Sequence, residues 1–509
     1  MSFVAERKAS AMFIWLLSLT LATQSALAAS EDREAGVDEK LAGVLQEAGF
    51  TGTIQSQLVR RLGREIDPKL ANLGKLLFFD KIGGLHKDNT CGGCHSPSNG
   101  LGDSQSIAIG VQNNGIVGPH RSGPRNQRRT PTVVNNAFYP ALMWNGRFSA
   151  PSGDPFNNSS GFLFPQPEGE TKFRPNDRLI KHLLQAQAFI PPTELVEVAG
   201  FTGTKFQLEP RFAQFDDGKG DVVPGPDASN FRNEPIRQAI LARLNGIPNY
   251  RKLFGEIFPE VATGAQIDFT MFGRAIAEFE FTMVFADAPI DRYARGNRNA
   301  LYRNEKKGAL IFFGKGKCVL CHAVRDAANE MFSDFQMYNI GVPQIAPLFG
   351  VDKGNVVFDG PGEDEDFGLE QVTGDRRDRY KFRASPLRNV SLQAAFFHNG
   401  AFTRLDDAIR HHLNVFESAR HYSPALAGVD KDLTYRLGPI EQVLVTVDPI
   451  LKDPIELDAK EFRQLLAFVR SGLLDTHAAP KALCGIAPVS VPSGESVLNF
   501  EDCKKPKIE

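Results

Sequence analysis

Cysteine, tryptophan and net charge are all scarce in this chain. Only six cysteines and two tryptophans occur in 509 residues, which excludes the disulfide-dense scaffolds that small secreted domains rely on. The 58 Lys plus Arg nearly cancel the 60 Asp plus Glu, leaving a formal charge of -2, so the electrostatic footprint of a nucleic-acid binder is missing. Beyond the N-terminal segment no apolar run approaches the roughly 20 residues that a spanning helix needs, and no membrane span is expected in the mature chain. Runs of strand-like alternation are also lacking. At roughly 150 residues per domain, the length allows two or three domains and a large core.

The N-terminal segment reads as an export signal. Arg7 and Lys8 supply positive charge, Ala11 to Ala22 is mostly apolar, and Ala26-Leu27-Ala28 is a small-residue cleavage site. The mature chain would begin at Ala29 and fold in the periplasm.

The six cysteines sort into three pairs. Cys484 and Cys503 read either as a disulfide closing a loop of about 20 residues, worth about 3 kcal/mol on the chain-entropy model, or as two thiols in a loose tail. The other pairs sit in Cys91-Gly92-Gly93-Cys94-His95 and Cys318-Val319-Leu320-Cys321-His322. Both fit the pattern of covalent c-type haem attachment, in which two cysteines three apart reach both vinyl groups and the adjacent histidine offers an imidazole to iron. A zinc site would need further Cys or His at finger-like spacing, and a redox dithiol would leave both histidines unexplained.

An apolar stretch, Leu73 to Phe79, precedes the first motif, and a similar one, Ala309 to Phe313, precedes the second. This internal repeat predicts two domains of one kind. Helical periodicity dominates elsewhere. Phe269, Phe272, Ile276, Phe279 and Met283 recur on one face, as do Phe462, Leu465, Leu466 and Val469 behind an Asp458/Glu461 capping box. A short amphipathic helix is expected around Leu41, Val44 and Leu45. Ser152 to Pro175, Asp216 to Asn230 and Asp352 to Asp375 read as long loops, the last carrying the acidic run Glu363 to Asp366 as a solvated surface. The expected fold is mainly α, with two cytochrome-c-like haem domains and long loops. The expected divisions are 1–28 signal peptide, 29–265 N-terminal haem domain, 266–475 C-terminal haem domain and 476–509 tail.

A haem carrier and a haem enzyme share the same attachment motif, so other residues must separate them. Here the sequence resembles the bacterial di-haem cytochrome c peroxidase family, which includes the MauG protein of methylamine dehydrogenase maturation. The resemblance spans roughly Leu73 to Gly472. It rests on Leu73-Gly-Lys-Leu-Leu-Phe-Phe-Asp80, Arg129-Thr-Pro-Thr-Val-Val-Asn135, Trp144-Asn-Gly-Arg147, Ile290-Asp-Arg-Tyr293, Phe312-Phe-Gly-Lys-Gly316, Leu387-Arg-Asn-Val390 and Phe397-His-Asn-Gly400. It implies a peroxidatic haem on His95 and an electron-transfer haem on His322, with Trp144 between them. It also implies Gln187, Pro191 and Glu197 over the open haem face, where Glu194 is the alternative acid/base group. The stretch from Trp144 to Gln187 is longer than in short family members by about thirty residues, an inserted loop.

Three positions depart from the family. Many members carry an iron-capping histidine sixteen residues after the first haem histidine, and Val111 stands there, which implies an open first haem; His120 is the nearby substitute. The family's calcium site has an asparagine where this chain has Arg129, which argues against calcium and leaves only backbone carbonyls to hold it. The second axial ligand, Met or Tyr in relatives, aligns with His412. Leu405, Ala408, Ile409 and His412 share one helical face opening after Thr403 with Asp406 in capping position, while His411 points about 100° away. The competing assignment uses Met331 or Met337 as the ligand, with His412 in the core and His411 at the surface.

The resulting expectation is an enzyme that reduces hydrogen peroxide at the N-terminal haem with electrons delivered through the C-terminal one. The electrons would come from a small cytochrome c or cupredoxin, or from a protein substrate as in MauG. A non-enzymatic di-haem electron carrier and an oxygenase on the same scaffold are the alternatives.

Overall fold

The computed structural model describes residues 36–164, 173–203, 213–347 and 358–504. The expected signal peptide, the residues expected to open the mature chain and parts of the expected long loops lie outside these. Helices dominate, and among the described residues the strands are two-residue pieces. No described helix is long and apolar enough to cross a membrane.

The helices that position the site are α1 (36–47), α2 (Pro68–Phe79), α3 (Leu183–Gln187), α4 (Phe269–Phe281), α5 (Arg303–Phe313), α6 (Leu405–Leu413) and α7 (Ala459–Ala467). Their ends follow local chemistry. Asp67 accepts the Lys69 and Leu70 amides ahead of Pro68 at the first position of α2, a start that needs no N–H from proline. Asp268 caps α4 through the Met271 amide, and the Asp458/Glu461 capping box opens α7 as its sequence predicts. The expected cap of α6 does not form. Arg404 occupies the cap position without a side-chain bond, because the Thr403 hydroxyl donates to the Ala427 carbonyl instead.

The internal repeat is physical. α2 crosses α4 and α5 crosses α7, and each crossing turns on a glycine. A Cβ at Gly74 would fall 1.8 Å from the Ala275 carbonyl oxygen, and one at Gly308 would fall 2.0 Å from that of Gln464. Only a missing side chain allows such approach. Four residues later, each helix brings a phenylalanine to the histidine of its Cys-x-x-Cys-His motif: Phe78 lies 6.0 Å from the His95 ring and Phe312 lies 6.4 Å from the His322 ring.

Two large cores result. The first gathers α2, α3 and α4 with tail residues Ala478 to Phe500. The second gathers α5, the Leu465 to Leu473 segment and the α1 residues Leu41 and Leu45. The first core also takes in residues up to Ala286, with Met331 and Phe335, because α4 pairs with α2 across a long sequence separation. The N-terminal helix likewise belongs with the later core. Asn135 and Asn389, both at positive φ, tie the two halves together by donating their amides to the single carbonyl of Phe285, at 3.0 and 2.9 Å.

The tail returns to the first core. Strand β1 (Ile116–Val117) pairs in parallel with β2 (Asn499–Phe500), Phe500 packs 5.7 Å from Phe79, and Cys484 and Cys503 form the expected disulfide.

Candidate active site

Each Cys-x-x-Cys-His motif opens onto its own cavity. In the first, Thr90 caps the turn Cys91–Cys94, and the His95 amide bonds to the Cys91 carbonyl at 2.8 Å. In the second, the turn Cys318–Leu320 repeats the geometry, with the His322 amide 2.9 Å from the Cys318 carbonyl. All four thiols are unpaired. Each histidine anchors Nδ1 on a backbone carbonyl, His95 on Leu101 at 3.2 Å and His322 on Phe332 at 3.0 Å. That fixes ring orientation and leaves Nε2 as the ligand atom, the usual arrangement at a metal-bound imidazole. Burial pushes both imidazoles down to about 4, so they stand neutral, as iron ligands must.

His412 faces His322 across the second cavity, with ring centroids 6.2 Å apart. An ion held between two imidazole nitrogens at about 2.0 Å from each would separate the centroids by roughly 6 Å, so the pair fits a bis-histidine haem. His412 Nδ1 donates to the Ala408 carbonyl at 2.8 Å, one helical turn back. His411 is not at the surface. It is buried, with Nδ1 on the Ser418 hydroxyl at 3.0 Å and Nε2 on the Ile340 carbonyl at 2.8 Å, so both nitrogens are occupied. Met331 is buried in the first core, and neither it nor Met337 lines the second cavity.

Gln187, Pro191, Glu194 and Glu197 line the first cavity together with the attachment motif. Gln187 ends α3, Pro191 opens a 3-10 turn, and Glu197 sits in a π-turn, Leu195–Ala199, whose amides converge on the Glu194 carbonyl. Two contacts hold that turn against the haem-attachment segment. The Asn89 amide donates to the Glu197 carbonyl at 2.8 Å, and a Cβ at Gly110 would lie 2.0 Å from the Val196 carbonyl.

The two carboxylates differ. Glu194 is paired with Arg147 at 3.1 Å. Glu197 makes no such pair, and burial, reinforced by the Glu194 charge and opposed by Arg147, pushes its carboxyl up to about 8. A carboxyl poised near neutrality at a cavity wall is suited to proton transfer. Glu280 lines the same cavity from α4, its carboxyl pushed up to about 7 by burial. Nothing in the sequence pattern set it apart from a core residue.

Val111 is buried against Phe201 behind the Glu197 turn, outside the cavity wall. His120 is a loop histidine, 72% exposed and paired with Glu501 at 2.9 Å. Neither places an imidazole over the first cavity.

Trp144 lines both cavities. Its indole N–H donates to the Arg129 carbonyl at 2.9 Å, and its own carbonyl accepts the Arg383 amide at 2.7 Å. Tyr139, Arg129 and Arg383 share this dividing wall. Among the described residues no group of three or more His, Cys, Asp or Glu side chains is arranged to hold a metal ion.

The family model for di-haem cytochrome c peroxidases matches residues 68–299. Among curated proteins, the chain is 26% identical over 364 residues to the cytochrome c551 peroxidase of Pseudomonas aeruginosa, covering 72% of this chain and 77% of that one. It is 24% identical over 344 residues to the methylamine utilization protein MauG of Methylophilus methylotrophus, covering 67% and 71%. The fold is similar to the crystal structure of a MauG-like protein associated with microbial copper homeostasis, with a TM-score of 0.51 at 20% identity over 81% of this chain and 91% of that one.

Proposed function

We propose that the chain, which is similar to di-haem cytochrome c peroxidases, is a haem enzyme with two c-type haems that reduces hydrogen peroxide in the cavity beside His95 with electrons entering through the cavity beside His322. Cys91 and Cys94 would hold one haem with His95 as its iron ligand, and Cys318 and Cys321 the other with His322 and His412. When bound, the haems supply the iron redox chemistry that carries two electrons to peroxide, which with two protons gives two waters.

The chain's own residues handle the protons. In its ionised form Glu197 would accept a proton from one peroxide oxygen and return it to the other as the O–O bond breaks. Gln187 offers an amide on the same wall, and Pro191 fixes the turn between them. Arg147 holds Glu194 aside. Trp144, in the wall between the cavities, provides the path for electrons.

The division into two cytochrome-c-like haem domains and export to the periplasm belong to the same proposal. The repeated glycine crossings and paired motifs support the first. The single observation that carries the reading is that the two cavities differ: in one a second imidazole faces the motif histidine, and in the other an unpaired carboxyl lines an open space. A denatured mass equal to apoprotein plus two haems, with one lost for each Cys pair replaced by Ala, tests cofactor content. A mass with one haem or none would overturn it.

The His322 and His412 pair favours one variation. Imidazole in place of thioether lowers a haem's potential, making it a poorer acceptor from a high-potential cytochrome. This supports a role closer to MauG, in which a protein side chain is the electron source. Peroxide-dependent turnover with small cytochromes or cupredoxins of graded potential distinguishes the two.

A further inference from the structure

Five arginines line the two cavities, and they fall into two kinds. Arg128 is paired with Asp366 at 2.6 Å, Arg147 with Glu194 at 3.1 Å and Arg388 with Asp291 at 2.7 Å. Arg129 and Arg383 have no carboxylate within salt-bridge reach among the described residues. They are also the two that line both cavities.

Both are deeply buried, 3% and 4% exposed. Arg129 reaches the Asp103 carbonyl at 3.2 Å and the Gln393 amide oxygen at 3.4 Å through one terminal nitrogen, and its Nε has no partner. Arg383 reaches the Met143 carbonyl at 3.0 Å through Nε and the Ala384 carbonyl at 3.4 Å. The Asp103 carboxylate is committed to the amides of Gln105 and Thr130. Burial pushes both guanidinium groups down to about 10, which still leaves them charged at neutral pH. The Asp103 charge opposes the effect of burial on Arg129 without a direct ion pair, and no carboxylate does so for Arg383; a buried guanidinium with no carboxylate in contact is costly for a fold to hold, and each of these borders both cavities.

We propose that Arg129 and Arg383 form one shared carboxylate-binding bridge in the wall beside Trp144, taking the propionate groups of both haems. This rests on haem occupying both cavities. Guanidinium is suited to the task because its planar donor set matches a carboxylate and it stays ionised when buried. The bridge couples the two sites. A cation beside a haem favours the reduced iron, so one arginine shared between two haems sets both potentials.

The test uses the full haem-loaded protein and three readouts. Denatured mass gives haem content, a potentiometric titration gives both midpoint potentials, and resonance Raman reads the propionate bending modes, which respond to hydrogen bonding. In Arg129→Gln and Arg383→Gln both haems stay attached, both potentials shift downward and the propionate modes move; Arg129→Lys restores most of the shift. If neither glutamine variant folds, the wild-type propionate modes decide, and they are expected at the hydrogen-bonded position. Wild-type modes typical of solvated propionates overturn the bridge, as does a folded variant in which only one potential moves or neither does. A wild-type protein lacking two haems overturns the proposed function instead.

Discussion

His322 and His412 stand with ring centroids 6.2 Å apart, each with Nδ1 already spent on a backbone carbonyl and Nε2 left for the space between them. The adjacent His411 is buried but has both nitrogens engaged. The ferric protein is therefore expected to show one low-spin bis-imidazole haem without the near-infrared sulfur band of methionine ligation. His412→Ala should convert that haem to high spin, whereas His411→Ala should lower stability and leave the spectrum low spin. A methionine band, or a low-spin haem unchanged in His412→Ala, would end the assignment.

The Glu197 carboxyl is pushed up to about 8 by burial and the Glu194 charge, and this sets a pH dependence. The ionised form accepts the peroxide proton, so the second-order rate with peroxide should climb as pH rises from 6 and level off above the carboxyl's pKa. The positive charge of bound iron acts to lower that inflection. In Glu197→Gln the climb should vanish. A profile that keeps its shape in this variant assigns the titration to another group, with Glu280 the first to examine.

The glycine crossings predict a stability effect. Alanine is the better helix former by about 1 kcal/mol, but a Cβ at Gly308 would lie 2.0 Å from the Gln464 carbonyl oxygen and 2.7 Å from Phe468 Cβ. Overpacking of this kind costs about 1–3 kcal/mol or more, so the clash outweighs the propensity. Gly308→Ala should lower Tm and broaden the spectrum of the second haem, and Gly74→Ala should do the same to the first. An unchanged or raised Tm would show that the helices separate freely.

Tail and first cavity are linked through Phe500 on Phe79 and through Leu498, whose Cδ1 lies 2.9 Å from where a Cβ at Gly93 would be. Replacing Cys484 and Cys503 together by Ser should destabilise the protein by about 3 kcal/mol, on the loop-entropy model. Proteolytic susceptibility should rise first in the tail, measured by limited digestion of the haem-loaded protein. Resistance equal to wild type would show that the β1 and β2 pairing suffices alone.

Much of the site was legible because it is carried by residues at fixed short spacings. The two attachment motifs and the helical face of His412 depend on local geometry, whereas Gln187, Pro191 and Glu197 were legible only through the family resemblance. Through-space facts were not legible. Nothing near Thr403 reveals that its hydroxyl serves the distant Ala427 carbonyl rather than a helix cap, nor that Ser418 and Ile340 draw His411 inward. The core that α4 joins was not legible for the same reason, since its pattern looks alike whichever core it enters. Arg129 and Arg383 stand out only once the carboxylates around them have been placed.

The central claim is that the first haem is open, with Glu197 moving the proton. The direct measurement is stopped-flow mixing of fully oxidised, two-haem protein with hydrogen peroxide, beside Glu197→Gln and Glu194→Gln of equal haem content. The oxidised wild type is expected to react at once without pre-reduction, because among the described residues no imidazole besides His95 lines the first cavity. A rate lower by about 10²–10⁴-fold is expected in Glu197→Gln, the usual scale for losing a general acid/base. A lag abolished only by pre-reduction, or a wild-type rate in Glu197→Gln with Glu194→Gln inactive, would contradict the claim.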